Sequence, residues 1–451
     1  MASAAEQLAA NVNWSAFSKA TELQKRLWFT LGALVIYRLG TYIPVPGVDP
    51  SIMKDIFEQN AGGVFGMFNV FAGGALERMT IFALNVMPYI SASIIMQLMT
   101  TVSPTLEQWK KEGEQGRKKI NQYTRYGTVL LAAVQAYGIA VGLEGLQGSA
   151  GNAVHDPGVF FRFTTVVTLT GGTMFLMWLG EQITARGVGN GISLIIFAGI
   201  VAELPSALAG TLELGRLGTL STAIILFLLV MVVAVIAFIV FVERAQRRIL
   251  VQYPKRQMGQ RMIGGETSHL PIKVNTAGVI PAIFASSLLL MPVTVAQFSQ
   301  ASGPEWLQTV VALLGRGQPL YLTMYIGGVV FFCFFYTTVV FNPQDTADNL
   351  KKNGGFVPGI RPGQRTAEYL DYVLTRLTVI GATYLAAVCL LPELLISQWN
   401  VPFYFGGTSL LIVVSVTMDT VGQIQSHLLA HQYEGLIKKS KLRGNRGGMR
   451  R

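Results

Sequence analysis

Along the chain, apolar stretches of about 20 residues alternate with polar connections. Ten such stretches can be read: Leu23–Ile43, Met79–Val102, Thr124–Leu143, Val159–Ile183, Gly191–Ala209, Thr219–Val242, Val274–Gln297, Leu320–Phe341, Leu370–Pro392 and Tyr404–Ala430. At about 1.5 Å per residue, each is long enough as an α-helix to cross a hydrocarbon core of about 30 Å. The pattern therefore predicts a multi-span helical membrane protein. One shorter stretch breaks the rhythm: Val64–Ala72, between Gly62-Gly63 and Gly73-Gly74, reaches only about 13 Å as a helix. It predicts either a glycine-hinged half-helix enclosed by protein at membrane depth or a helix lying flat at the headgroups, and the pattern leaves both open.

Composition agrees with a lipid-solvated chain, since 51% of residues are hydrophobic and only 13% charged, against about 25% charged in soluble domains. The placement of the 35 Lys and Arg adds an orientation. All but Arg38, Lys54, Arg78, Arg162, Arg216 and Arg316 fall before or at the start of the first stretch, in every second connection or at the stretch ends that border it, or in the tail. The excess of positive charge on that face places both termini in the cytoplasm, and an even number of spans is consistent with two ends on one side. The polar first twenty residues lack the succession of a cleavable signal peptide.

The candidate chemistry is sparse. Cys333 and Cys389 lie within apolar stretches and read as small buried hydrophobes. His427 and His431 are one helical turn apart with no third ligand, so no metal site is expected. No Gly-rich loop ends in Lys-Ser or Lys-Thr to cradle ATP, and GVGNG from Gly187 follows a helix, as a cytoplasmic turn would. Asn13-Trp14-Ser15 matches a glycosylation acceptor by chance on a cytoplasmic segment. Asp419 lies well inside a stretch, and its expected role is a hydrogen bond between helices; Arg38, Glu181 and Glu243 stand at stretch ends. Ion-coupled transport needs more intramembrane charge than this. The polarity sits in cytoplasmic connections, which points to work with large partners.

Longer strings carry a resemblance over nearly the whole chain. RLGTYIPVPG from Arg38, MFNVFAGGALERM from Met67, FALNVMPYISASIIMQLMT from Phe82 and TMFLMWLGEQITARGVGNGIS from Thr173 resemble the SecY family of protein-conducting channels of the bacterial secretory translocon. So do VFVERAQRRILVQYPKRQ from Val240, HLPIKVNTAGVIPAIFASS from His269, FNPQDTADNLKKNGGFVPGIRPG from Phe341 and VPFYFGGTSLLIVV from Val401. The resemblance implies an all-α clamshell of ten transmembrane helices in two inverted five-helix halves, residues 1–212 and 213–431, followed by a basic tail, 432–451. It implies no catalysis and no cofactor. The expected activity is passage of unfolded secretory polypeptides across the bacterial plasma membrane, with sideways release of hydrophobic segments into lipid. The expected partners are the small membrane subunits SecE and SecG, the SecA ATPase, a translating ribosome, signal peptides and nascent chains, SecDF, YidC and anionic lipids.

Carried over residue by residue, the resemblance places the pore ring on Val86, Ile90, Ile192, Ile196, Ile283 and Ile412. Branched apolar side chains around a narrow hole favour dewetting and so block ions; read without the resemblance, these are core residues. Val86 is smaller than the isoleucine often found there in the family. The plug falls at about 63–74, with Val64, Phe65, Met67, Phe68, Asn69 and Phe71, and the lateral gate on Ser91, Ser93 and Gln97 facing Asn275, Ser286 and Ser287. Ordinary small-residue helix packing explains the same serines. Docking of ribosome or motor is expected on Arg244, Arg247, Arg248, Lys255, Arg256 and Arg261 in the loop at about 243–273, and on Lys351, Lys352, Arg361 and Arg365 in that at about 342–369. Basic loops suit RNA phosphates or an acidic protein surface, and they also retain anionic lipid. Gln260 stands where the family often has a basic residue. Two other classes are a secondary transporter using the half-helix as a binding element and an intramembrane protease, for which no Ser-His, Asp-Asp or HExxH arrangement is present.

Overall fold

Each of the ten apolar stretches meets a helix in the computed structural model, which describes residues 20–60, 69–144, 147–148, 151–217, 221–254, 256–258, 261–263, 267–298, 318–399 and 407–446. Among the described residues, seven helices are long and apolar enough to cross a membrane; the helix of the second stretch is shorter, at Met87–Val102. The chain is a multi-pass, mostly helical membrane protein. It divides into two compact units, Met1–Asn60 with Phe68–Leu204 and Val416–Arg451, and Ala61–Met67 with Pro205–Ser415.

The first unit begins with α1 (Thr21–Gly40) and α2 (Pro50–Asn60). Asp49 caps α2: its carboxylate accepts from the Ser51 amide at 2.9 Å and the Ser51 hydroxyl at 2.6 Å, and Pro50 supplies the fixed φ suited to a first helical position. α3 (Met87–Val102), α4 (Pro104–Lys111), α5 (Glu114–Glu144) and α6 (Val159–Arg186) follow, with the start of α7 (Gly191–Arg216). Two short strands, β1 (Gln147–Gly148) and β2 (Gly151–Asn152), pair antiparallel between α5 and α6. α5 packs along α3 and α6. Forked ion pairs tie α5 to α6 near both ends, Arg125 to Glu181 and Arg162 to Glu144. Along each helix these ends lie about 28 Å apart, close to the thickness of a hydrocarbon core. The GVGNG turn is seated as a turn: the Val188 amide donates to Thr30 Oγ1 on α1, and the Gly189 amide to Gln423 Oε1.

The second unit holds the rest of α7, then α8 (Thr222–Arg244), whose N-cap Ser221 accepts from the Ile224 amide. Its exposed Val233 and Phe241 suit the apolar surroundings of a membrane-spanning helix. The connection after α8 is a long antiparallel hairpin. β3 (Gln246–Gln252) pairs with β6 (Thr267–Lys273), and between them β4 (Arg256–Met258) pairs with β5 (Arg261–Ile263). Period-two alternation explains β3, where Ile249 and Val251 are buried while Leu250 is exposed. α9 (Ile280–Phe298) packs on α10 (Pro319–Val340), and both α10 and α11 (Pro343–Lys352) pack on α12 (Gln364–Trp399). α13 (Gly407–Arg446) starts in this unit and ends in the first.

The second span differs from its predicted start at Met79. Its helix begins at Met87, because Met79 (φ 44°) and Asn85 (φ 49°) both occupy the left-handed region, which a right-handed helix cannot include. Residues 79–86 form turns instead, and all but Ile81 are buried, so irregular backbone here is enclosed by protein rather than lipid. Asp419 is also corrected. It is exposed rather than buried between helices, because the closely packed part of α13 ends at Val416 and only Leu428 is buried beyond it up to Ala430.

Candidate functional site

Of the expected plug, Val64, Phe65, Met67 and Phe68 lie outside the described residues, while Asn69–Ala72 is helical and buried. This helix ends on two glycines for a definite reason. The Gly74 amide donates to the Asn69 carbonyl at 3.0 Å and the Gly73 amide to that of Val70 at 3.2 Å, the paired bonds of a Schellman motif, and both glycines have positive φ. The following carbonyls receive side chains from elsewhere. Asn85 Nδ2 donates to Phe71 O, Tyr37 Oη to Ala72 O at 3.4 Å, and Arg38 Nη1 to Gly73 O at 2.6 Å. Asn69 is fixed in turn, its Oδ1 accepting from the Glu77 amide at 3.0 Å and its Nδ2 donating to Glu77 Oε2 at 3.3 Å. A Cβ on Gly73 would stand 2.9 Å from Gly199 Cα on α7, so two backbones touch where only glycine fits. Gly73 and Gly74 thus act as a helix cap pressed on α7, whereas the spacing had suggested a hinge.

The pore-ring candidates divide between the two units. In the first, Val86 is the N-cap of α3 and wholly buried, and Ile90, whose amide donates to Val86 O at 3.1 Å, is buried one turn on. Ile192 is half-buried and Ile196 buried, one turn apart on α7. In the second, Ile283 is half-buried on α9, and Ile412 is fully buried on α13.

The gate candidates are occupied mostly within their own units. Ser91 is buried and Ser93 half-buried on α3, and Gln97 has a buried Oε1 that no hydrogen-bond donor among the described residues reaches. Ser286 donates to the carbonyls of Ala282 and Ile283, and Ser287 to that of Ile283, all on α9 itself. Such back-bonding removes a hydroxyl donor from use between helices. Asn275 Nδ2 donates to Glu243 Oε1 at 2.7 Å and to Gly278 O at 3.0 Å, tying the end of α8 to the approach to α9.

The two docking loops form one body. Gln252 in β3 and Phe356 exchange backbone hydrogen bonds of 2.9 and 3.0 Å, and Ile249, Ile272, Val357, Leu370, Leu374 and Leu377 make a shared apolar core. Arg244, Arg247, Arg248, Lys351, Lys352, Arg361 and Arg365 are exposed on it. Lys255 and the side chains of Arg256 and Arg261 lie outside the described residues. The turn bearing Arg361 is set by Gly359 (φ 82°) and Gly363 (φ 106°), with Thr366 Oγ1 donating to Arg361 O at 3.0 Å.

Sequence reasoning missed the polar contacts of Tyr37, Arg38 and Asn85. The available signals were an Arg at the end of an otherwise apolar stretch and an Asn, the residue type most tolerant of left-handed backbone after glycine, just before Val86-Met87-Pro88.

A sequence model described as SecY matches residues 80–421. The chain is 57% identical over 424 residues to protein translocase subunit SecY of Escherichia coli (strain K12), covering 94% of this chain and 96% of that one. Its fold is similar to a solved SecY structure in which the plug domain stabilises the closed state of the translocation channel and maintains a membrane seal, with TM-score 0.58, 18% identity and coverage of 90% of this chain and 92% of that one. It is likewise similar to Sec61 in the canine ribosome-channel complex from the endoplasmic reticulum, with TM-score 0.57, 17% identity and the same coverage. With the family match spanning most of its length and relatedness running nearly end to end, the chain belongs to the SecY family.

Proposed function

We propose that this chain is the channel-forming subunit of a protein translocase, passing unfolded secretory polypeptides across the membrane and releasing hydrophobic segments sideways into lipid. The observation that carries the proposal is its nearly full-length identity to a protein translocase subunit. In this reading Val86, Ile90, Ile192, Ile196, Ile283 and Ile412 ring the narrowest point. A ring of branched apolar side chains excludes water when empty yet holds no passing side chain strongly. The stretch Val64–Ala72 is the plug, a reading supported by the solved neighbour described through its plug domain. The lateral exit lies between the helices bearing Ser91, Ser93 and Gln97 and those bearing Asn275, Ser286 and Ser287, in a two-half arrangement of residues 1–212 and 213–431.

The chain itself is no enzyme, and the energy for movement comes from outside. The body built from the β3/β6 hairpin and the 353–363 turn presents arginines and lysines on a rigid apolar base, which suits ribosomal RNA phosphates or an acidic face of the SecA ATPase. The ribosome complex among the fold neighbours supports the first of these. SecE and SecG complete the membrane assembly. The charge asymmetry of the connections supports a topology with both termini in the cytoplasm, in the bacterial plasma membrane.

The test is reconstitution of the purified chain with its small subunits in vesicles, with SecA, ATP and a secretory preprotein outside. Preprotein that becomes protected from added protease in proportion to ATP use supports the proposal. Preprotein that stays accessible while ATP is hydrolysed at the stimulated rate refutes it.

A further inference from the structure

We propose that Arg38, Asn85 and Tyr37 are positioning residues that latch the end of the plug segment in the closed channel; this rests on reading Val64–Ala72 as the plug. The last carbonyls of a helix have no donor within it and carry the negative end of its dipole. At Asn69–Gly74 the Schellman bonds satisfy the carbonyls of Asn69 and Val70. Those of Phe71, Ala72 and Gly73 each receive a donor from outside the segment, that of Ala72 in addition to the Ala75 amide at 3.4 Å, and the outside donors come from two separate places, α1 and the turn before α3. The surroundings are dry, with Val70, Phe71, Ala72, Tyr37 and Asn85 all buried, so a carbonyl deprived of its donor there gains no water in exchange.

The three donors are unequal. Arg38 brings a full charge to a helix C-terminus through the shortest of these contacts for which a charge-assisted bond is possible. Its guanidinium is held in place by Tyr42, whose hydroxyl accepts from Nη2 at 3.2 Å and whose ring lies 5.1 Å from Arg38 Cζ and 4.5 Å from Arg78 Cζ. Asn85 reaches Phe71 from a left-handed backbone, and its Oδ1 meanwhile accepts from the Val86 amide at 2.9 Å. One side chain thereby joins the plug end to Val86, a ring candidate. By contrast, the contact of Gly73 with Gly199 has no interlocking side chains. At that contact the seat separates without side chains interlocking, so the polar donors on the three carbonyls add to the packing of buried Val70 and Phe71 in deciding how long the segment stays.

The experiment measures resting ion conductance in planar bilayers and preprotein import into vesicles for the assembled channel carrying Arg38→Met, Asn85→Asp, Tyr37→Phe or Arg38→Lys. Asn85→Asp keeps the left-handed residue class and the bond to the Val86 amide while replacing the donor to Phe71 O by an acceptor. Arg38→Met and Asn85→Asp are expected to raise the resting open fraction about ten-fold or more, and Tyr37→Phe about two- to three-fold, with Arg38→Lys close to the parent. Import persists in all four. Parent-like conductance in Arg38→Met and Asn85→Asp, with unchanged thermal unfolding, overturns the latch, as does equal leakage from Arg38→Lys and Arg38→Met. If Arg38→Met and Asn85→Asp do not assemble, the near-isosteric Tyr37→Phe decides by leaking or staying tight. A parent channel that imports nothing counts instead against the proposed function.

Discussion

Two adjacent glycines on α6 allow a close test of how tightly the turn before the second span is held. A Cβ on Gly172 would stand 2.0 Å from Ile81 O and 3.0 Å from Ile81 C, whereas one on Gly171 meets nothing within 4 Å. Relieving the first contact requires the turn and the helix to part by about 1 Å or more, because carbon atoms pack comfortably only at about 3.5 Å. The turn resists, since the Ile81 amide donates to Ile43 O at 3.0 Å and Thr80 bridges Pro44. Replacing a helical glycine by alanine gains about 1 kcal/mol, and overpacking a rigid interior costs about 1–3 kcal/mol, sometimes more. Gly171→Ala is therefore expected to unfold at or slightly above the parent temperature, and Gly172→Ala below it, the two variants differing by the overpacking cost of about 1–3 kcal/mol because the propensity gain is common to both. Thermal unfolding of both proteins in the same mild detergent measures the difference. Gly172→Ala matching Gly171→Ala would refute the argument that backbone contact, rather than helix propensity, governs this site.

Three further outcomes are expected. Replacing Ile283 and Ile412 together by Asn puts water-binding amides where dewetting is required and should give steady ion leakage in planar bilayers, about ten-fold or more above the parent; parent-like silence would make them core rather than pore. Arg361→Glu reverses one exposed charge on a turn set by Gly359 and Gly363, so motor-driven import should fall about ten-fold with the protein inserted and stable in amount, read by import assay beside a membrane blot. The Asp49 carboxyl is held below its usual range, first by the Ser51 hydroxyl and then by the Ser51 amide. Its cap consequently stabilises α2 above the ordinary carboxylate range and is lost as pH falls through the lowered value. Amide exchange at Ser51 should accelerate relative to Asp49→Asn as pH drops from about 5 to about 2, and parallel profiles would exclude the cap.

Hydrophobic patterning alone locates the apolar helices and roughly where they begin and end. The fourth apolar stretch, Val159–Ile183, is the helix Val159–Arg186, and the eighth, Leu320–Phe341, is Pro319–Val340, because in hydrocarbon the backbone must satisfy itself locally and composition alone dictates length. Family membership was likewise legible, in strings such as those from Phe82 and Phe341. Hydropathy was blind where protein, not lipid, surrounds the backbone. Residues 79–86 are as apolar as a span, yet Met79 and Asn85 turn left-handed, since neighbouring segments supply the hydrogen bonds and the space that lipid cannot. The basic connection after α8 carried the period-two pattern Ile249, Val251, but its hairpin is fixed by distant Val357 and Leu370. The donors to Phe71, Ala72 and Gly73 come from residues 14 to 35 positions away along the chain. No local pattern records such a contact, because a carbonyl at a helix end specifies only that it needs a donor, and the packing of α1, α3 and α7 decides which side chain provides it.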